Sequence, residues 1–184
     1  EQLFISLPDG TTLPHRAIGP ARDAGPSGGA VTFDCQALGD RWKPSFEGGM
    51  RHETAATYLR EPVLEGAPHP VTFEVEIVGV RPVLMMPTSD NTSYGKYHYE
   101  QMHRCQGKVQ FGGETLTFSG QGYRDHSRGP RQLGDFHGHV WLQLFFPEGP
   151  DFTTYQMWTR EDGKVDQILN EPATIRPDGF GPAE

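Results

Sequence analysis

Glycine and proline recur through the chain at intervals of about ten residues, and segments of alternating apolar and polar residues lie between them. The clearest segment, VTFEVEIVGV (71–80), carries apolar side chains at positions 71, 73, 75 and 77 and threonine or glutamate at positions 72, 74 and 76. Alternation of this kind is typical of a half-buried antiparallel strand. With 23 glycines and 16 prolines available for turns, the sequence predicts an all-β fold, either a sandwich or an up-and-down barrel.

Two polar segments interrupt this pattern. GPARDAGPSGG (19–29) is rich in glycine and proline and has almost no large apolar residue, which predicts an exposed linker. PTSDNTSYG (87–95) is a second polar loop. We therefore expect a partial N-terminal β module over residues 1–90, which contains the linker, and a C-terminal β module over residues 91–184.

The overall charge argues against several classes of partner. Asp and Glu outnumber Lys and Arg by 24 to 16, so no surplus of cations is available to neutralise nucleic-acid phosphates or an anionic membrane surface. No apolar run approaches the roughly 20 residues of a membrane-spanning helix, and no signal-peptide pattern is visible. Cys35 and Cys105 could form one bridge in an oxidising compartment, but we expect two partly buried thiols in a cytoplasmic protein.

The densest polar segment, GQGYRDHSRGPR (120–131), holds a phenol, an acid, a histidine and three arginines between glycines. On an extended strand, Tyr123 and Asp125 point to the same face and His126 points to the other. A buried Asp125 beside Tyr123 or a histidine could act as a general acid or base. The alternative is a network in which Arg124 or Arg131 pairs with Asp125 and holds a surface loop.

The segment HGHVWLQLFF (137–146) predicts a strand with two different faces. One face is polar and aromatic, which suits the lining of a ligand cavity; its residues are His137, His139, Trp141, Gln143 and Phe145. The other face is apolar, and we expect it in the core. The following strand, DFTTYQMWTR (151–160), continues the polar face with either Gln156 and Trp158 or Tyr155 and Met157.

A third polar segment, YHYEQMH (97–103), places His98 and Glu100 on one face of a strand and Tyr97 and Tyr99 on the other. Both faces carry groups that could transfer protons. The alternative is ordinary cross-strand pairing of aromatic and charged side chains.

A metal site is the remaining possibility for the histidines. His137 and His139 could bind one ion, with a third ligand from Asp125, His126 or Glu100. A pair of this spacing is common by chance and no Cys/His cluster accompanies it, so we expect neither a metal nor another cofactor.

The segments YHYEQ (97–101), GYRDHSRGPR (122–131) and HVWL (139–142) together resemble the C-terminal domain of the hydroxyneurosporene-synthase-like, or carotenoid 1,2-hydratase-like, superfamily of lipocalin type. The resemblance covers residues 94–171. Arg128 occupies a position at which the commoner form of the central motif has tryptophan.

The resemblance implies a pair of lipocalin-like or calycin-like β modules and a hydrophobic small-molecule substrate. It also implies a hydratase, which protonates a carbon–carbon double bond and adds water, or a related isomerase or cyclase. The family's Tyr-x-Asp pair falls on Tyr123 and Asp125, and an upstream histidine falls near His98. Two full modules usually need more than 184 residues, so the first module is trimmed, loops are missing, or a homodimer completes the sheet.

We therefore predict acid/base chemistry on the double bond of a hydrophobic molecule, and the alternative functions are non-catalytic binding of such a molecule and metal-dependent catalysis. The predicted catalytic residues are Asp125, Tyr123, His126 and His98. The predicted ligand-binding residues are Glu100, His137, His139, Trp141, Gln143, Trp158 and Arg124.

Overall fold

The computed structural model describes residues 2–17, 29–60, 67–85, 97–129, 136–146 and 148–182. One short helix, α1 (Ala55–Arg60), lies in this part of the chain. The strands are β1 (Gln2–Ser6), β2 (Thr11–Arg16), β3 (Val31–Ala37), β4 (Arg41–Met50), β5 (Glu53–Thr54), β6 (His69–Gly79), β7 (Leu84–Met85), β8 (Tyr97–Phe111), β9 (Glu114–Arg128), β10 (Phe136–Leu144), β11 (Asp151–Glu161), β12 (Lys164–Arg176) and β13 (Gly179–Pro182).

The strands form three antiparallel sheets, which confirms the predicted all-β fold. The first has the order β1-β2-β5, and the second has the order β10-β11-β12-β13. The third has the order β3-β4-β6-β8-β7, and β9 also pairs with β8. Among the described residues these sheets do not close into a barrel, so the sandwich is the alternative that fits.

The chain forms two compact units, each built from two segments. Unit 1 contains Glu1–Val78 and Cys105–Gly120, and unit 2 contains Gly79–Arg104 and Gln121–Glu184. The long strands β8 and β9 each contribute residues to both units. This division differs from the single boundary between residues 90 and 91 that the sequence predicts. The predicted linker lies outside the described residues except for Gly29.

Several predicted turns are present, and glycine supplies the backbone conformation that they need. Gly10, with φ of 87°, lies between β1 and β2. Gly112 and Gly113, with φ of 58° and 83°, join β8 to β9. Gly163, with φ of 79°, joins β11 to β12. A positive φ costs glycine little because it has no Cβ.

Gly107 lies inside a strand rather than at a turn, because β8 runs through it. A Cβ at this position would lie 2.4 Å from the carbonyl oxygen of Glu74 and 3.0 Å from Cζ of Phe118. This glycine therefore permits a close approach of neighbouring chain segments within unit 1.

The core of unit 1 follows the alternation that the sequence predicted for β6. Val71 and Phe73 are buried, and they pack in a cluster with Leu13, Phe46 and Met50. The two cysteines lie outside this cluster as free thiols; Cys35 is exposed rather than partly buried, and Cys105 is half-buried. Burial raises the pKa of the Cys105 thiol.

One expectation about the C-terminal half is wrong. The apolar face of the β10 segment is not in the core, because Val140, Leu142, Leu144 and Phe146 are each 39–45% exposed. At the end of the described chain, β12 continues to Arg176 and pairs with β13. No described helix has the length and hydropathy needed to cross a bilayer.

Candidate functional site

Four polar side chains meet on one face of the hairpin formed by β8 and β9, within unit 2. They are His98 and Glu100 from β8 and Tyr123 and Asp125 from β9, and we call them the carboxylate cluster. Residues two apart in a strand share a face, so the sequence places both pairs correctly. Antiparallel pairing of the two strands then brings the pairs together.

Glu100 is the buried end of this cluster, with no exposed surface. One carboxylate oxygen accepts a hydrogen bond from Trp141 Nε1 at 2.8 Å, and the other accepts one from the Tyr123 hydroxyl. A carboxylate is rarely buried without such donors, because loss of hydration is costly. From the sequence, Glu100 is a candidate for ligand binding, proton transfer or metal binding, and its central position in the cluster is not predictable.

His98 lies between the two carboxylates. Its Nε2 atom is 3.0 Å from an Asp125 oxygen and 3.4 Å from a Glu100 oxygen. Burial disfavours charge on the imidazole, but the hydrogen bonds and negative charges of Asp125 and Glu100 outweigh this effect and raise its pKa to about 9. The ring is therefore an imidazolium at neutral pH, and its Nε2 hydrogen is held between two acceptors.

Asp125 forms the exposed end of the cluster. Its side chain is 35% exposed, whereas that of His98 is 14% exposed and that of Glu100 is fully buried. Asp125 therefore has the histidine neighbour but not the burial that the sequence-based hypothesis set as conditions for its acid/base chemistry. Exposure falls stepwise along the hydrogen-bonded series from Asp125 through His98 to Glu100.

Tyr123 bonds to Glu100 rather than to Asp125, and its hydroxyl also lies 3.3 Å from Thr153 Oγ1. Burial and the negative charge of Glu100 raise the pKa of the phenol above its ordinary value. Tyr123 is thus held neutral and donates its hydrogen to the buried carboxylate.

The four-stranded sheet supplies aromatic neighbours. Trp141 lies directly opposite Tyr155 in the pairing of β10 with β11. The Trp141 ring is 5.8 Å from that of Tyr123, and the Tyr155 ring is 6.1 Å from that of His98 and 5.7 Å from that of His139. Of the two continuations that the sequence left open, Tyr155 and Met157 are therefore the pair on the face of Trp141.

Two predicted site residues lie on the opposite face of the hairpin. Arg124 bonds to the Tyr99 hydroxyl, and its guanidinium carbon lies 4.9 Å from the centre of that ring. His126 stacks on Tyr99 at 5.1 Å, and burial followed by the charge of Arg124 lowers its pKa. Arg124 and His126 therefore lie on the Tyr99 face of the hairpin, away from the carboxylate cluster.

The remaining predicted residues are more scattered along β10 and β11. His137 is the extra residue of a β-bulge and lies 3.3 Å from an Arg160 nitrogen. Gln143 is opposite Thr153, whereas Trp158 is opposite Gly138 and alternates with Met157. Trp158 is thus on the other face of β11 from the site. Thr153 was missed, and the choice between Tyr155 and Gln156 stayed open, because cross-strand register cannot be obtained from one sequence.

A metal ion would find its nearest ligand set in the cluster rather than at His137 and His139. In the described part of the chain, one ligand atom each from His98, Glu100 and Asp125 lie within 4.8 Å of one another. A metal there would take the place of the His98 Nε2 hydrogen, because a ligating imidazole releases its proton when it binds an ion. The same three side chains are thus placed so that they could transfer a proton or hold a metal ion.

Comparison with known proteins identifies a family whose function is unknown. No curated protein and no solved structure matches the chain. Residues 4–168 match the family described as a domain of unknown function, DUF7064. This match includes the whole carboxylate cluster and both strands that supply its aromatic neighbours, and the chain is therefore a member of the DUF7064 family.

Proposed function

We propose that this protein is an enzyme that adds water to, or removes water from, a carbon–carbon double bond of a hydrophobic small molecule. One observation carries the proposal. A single imidazolium, His98, is hydrogen-bonded to a solvent-accessible carboxylate and lies beside a fully buried one. Such a pair offers a base and an acid side by side, as a reaction that moves two protons requires.

In the direction of water loss, the Asp125 carboxylate takes a proton from carbon. The His98 Nε2 hydrogen passes to the departing hydroxyl, the carbon–oxygen bond breaks, and the products are an alkene and water. Asp125 is then protonated and His98 is neutral. Transfer of the proton across their 3.0 Å hydrogen bond restores the starting state. Hydration follows the same steps in reverse.

Glu100 and its donors hold this pair in position. The buried carboxylate keeps a negative charge beside His98, which stabilises the imidazolium before the reaction. Trp141 and Tyr123 fix the two oxygens of Glu100 and prevent it from rotating. Glu100 is therefore a positioning residue in this proposal.

Two further observations support a hydrophobic substrate. Trp141 and Tyr155 place aromatic rings beside Tyr123 and His98, and such surfaces bind apolar molecules and stabilise developing positive charge. The resemblance of the Tyr-x-Asp segment to carotenoid hydratases points to an isoprenoid or a similar unsaturated chain. An isomerase would use the same two groups without release of water.

The test uses two unsaturated isoprenoids, citral and farnesol, together with any small molecule that co-purifies with the protein. Each is incubated with the protein in ¹⁸O-labelled water or in D₂O, and mass spectrometry follows label incorporation. We expect Asp125→Asn and His98→Gln to lower incorporation by about 100-fold or more, the usual range for a lost general acid or base.

His126→Gln is the matched control, because it changes a histidine on the other face of the same hairpin. We expect this variant to retain activity within about threefold, since a change outside the reacting groups has a small effect. Equal loss in all three variants, or full activity in Asp125→Asn, would refute the assignment. Binding without any label incorporation by the wild-type protein would favour the carrier function.

A further inference from the structure

Unit 1 contains an apolar cleft that the proposed reaction does not use. Its volume is about 580 Å³, which is within the usual range for small-molecule sites. Residues 3–8 of β1 and its turn form one wall, Leu116 and Phe118 of β9 form the other, and Phe73 and Val109 lie between them. All of these residues belong to unit 1.

The floor of the cleft is continuous with the core of unit 1. Phe73 and Val109 are 7% and 6% exposed and belong to the buried cluster, whereas Leu116 and Phe118 on the β9 wall are 37% and 42% exposed. When a ligand enters, the exposed apolar side chains around this buried floor are removed from contact with water, and this burial favours binding. Because Gly107 has no side chain, the Phe118 ring can lie beside it at the edge of the cleft.

The charge of the surroundings restricts the ligand. No residue that lines the cleft in the described part of unit 1 is ionisable. A neighbouring depression of about 890 Å³ shares Val75, Thr117 and Phe118 with the cleft and carries three acids and two lysines. These are Asp34, Glu74, Glu76, Lys43 and Lys108. Their negative surplus disfavours an anionic head group, while their donors and acceptors suit a hydroxyl.

We propose that this cleft binds an uncharged, elongated lipophile whose hydroxylated end reaches the polar depression beside Phe118. A charged chain end inside the cleft would lose its hydration without a partner. This site is independent of the carboxylate cluster, since it uses other residues in the other unit.

The test uses N-phenyl-1-naphthylamine, an uncharged fluorophore, as the reporter, with dodecanol and dodecanoate as a matched pair of competitors. We expect one reporter molecule to bind per chain. Dodecanol should displace it at a concentration about tenfold lower than dodecanoate, because the two differ only in the charge of the head group. Equal or stronger displacement by dodecanoate would overturn the proposal, and this comparison requires no variant.

Leu116→Asp places a short, negatively charged side chain on the wall of the cleft and should weaken reporter binding by about tenfold or more. Val165→Asp is the matched control, because Val165 is a 41% exposed strand residue in the other unit, and it should bind within about twofold of the wild type. Phe118→Ser serves as a second variant if circular dichroism shows that Leu116→Asp is unfolded. Wild-type affinity in a folded cleft variant, or binding only to a self-associated form in sedimentation, would refute the site.

Discussion

Glu100 is the residue on which the carboxylate cluster depends, because its carboxylate has no contact with water and relies on three neighbours. A hydrogen bond to a charged group contributes about 1.5–3 kcal/mol. We expect Trp141→Phe, which removes one donor, to lower the free energy of unfolding by about that amount. Urea unfolding measures the change.

Trp158→Phe is the control for this substitution, because Trp158 is also a strand tryptophan but lies on the other face of β11 from Tyr155. Its expected effect is below about 1 kcal/mol. If both variants lower the free energy of unfolding equally, the hydrogen bond from Trp141 to Glu100 makes no contribution of its own to stability.

His98 also makes stability depend on pH. Its pKa is raised from 6.5 to about 9 in the folded chain, so its contribution is complete below pH 6.5 and disappears as the pH rises through 9. The full effect is on the order of 3 kcal/mol. The stability advantage of wild type over His98→Gln should shrink by this amount between pH 6 and pH 10 in urea unfolding. If the difference in unfolding free energy between wild type and His98→Gln stayed constant across that range, the ion pairs of His98 with Asp125 and Glu100 would be contradicted.

At the level of the strands, Gly107 shows how one residue lets β8 pass close to its neighbours. A methyl group there would lie 2.4 Å from the Glu74 carbonyl oxygen, which is backbone and cannot turn away. Gly107→Ala should therefore cost about 1–3 kcal/mol, as overpacking does. Gly120→Ala is the control, because nothing lies within 4 Å of that added methyl group. Equal stability of the two variants would show that β8 and its neighbour can move apart at no energetic cost to accommodate the added methyl group.

Strand β10 provides a second test at this scale, because its even-numbered apolar side chains are exposed. Leu142 is 42% exposed, so Leu142→Thr should change the free energy of unfolding by no more than about 0.5 kcal/mol. Met157, on the neighbouring strand, is 1% exposed, and Met157→Ala should cost about 2–5 kcal/mol. If Leu142→Thr lowered the free energy of unfolding as much as Met157→Ala does, this face of β10 would have to be buried in the core.

At the scale of the whole molecule, the sequence predicts the all-β fold and the turns because both depend on local patterns. The alternation of β6 and the glycines at 10, 112, 113 and 163 are visible without any partner strand. The exposure of β10 could not be predicted. An apolar face indicates that burial would be favourable, but it does not show whether another layer of the structure packs on that face. Likewise, no local signal distinguishes Gly107, which permits close packing, from a turn glycine.

The candidate site was predictable to the same extent. Faces within one strand follow from a period of two, which correctly groups His98 with Glu100 and Tyr123 with Asp125. The central role of Glu100 depends on the long-range approach of Trp141, and the contribution of Tyr155 depends on strand register. Both are tertiary properties that a single sequence does not contain.

The central claim is that one proton is held by His98 between an exposed and a buried carboxylate. Nuclear magnetic resonance titration of the His98 ring in the full chain tests it most directly, with Asp125→Asn and Glu100→Gln as comparisons. We expect a pKa of about 9 for the wild type and a lower pKa in each variant, because each substitution removes one negative charge. A wild-type pKa near 6.5, unchanged in both variants, would contradict the account.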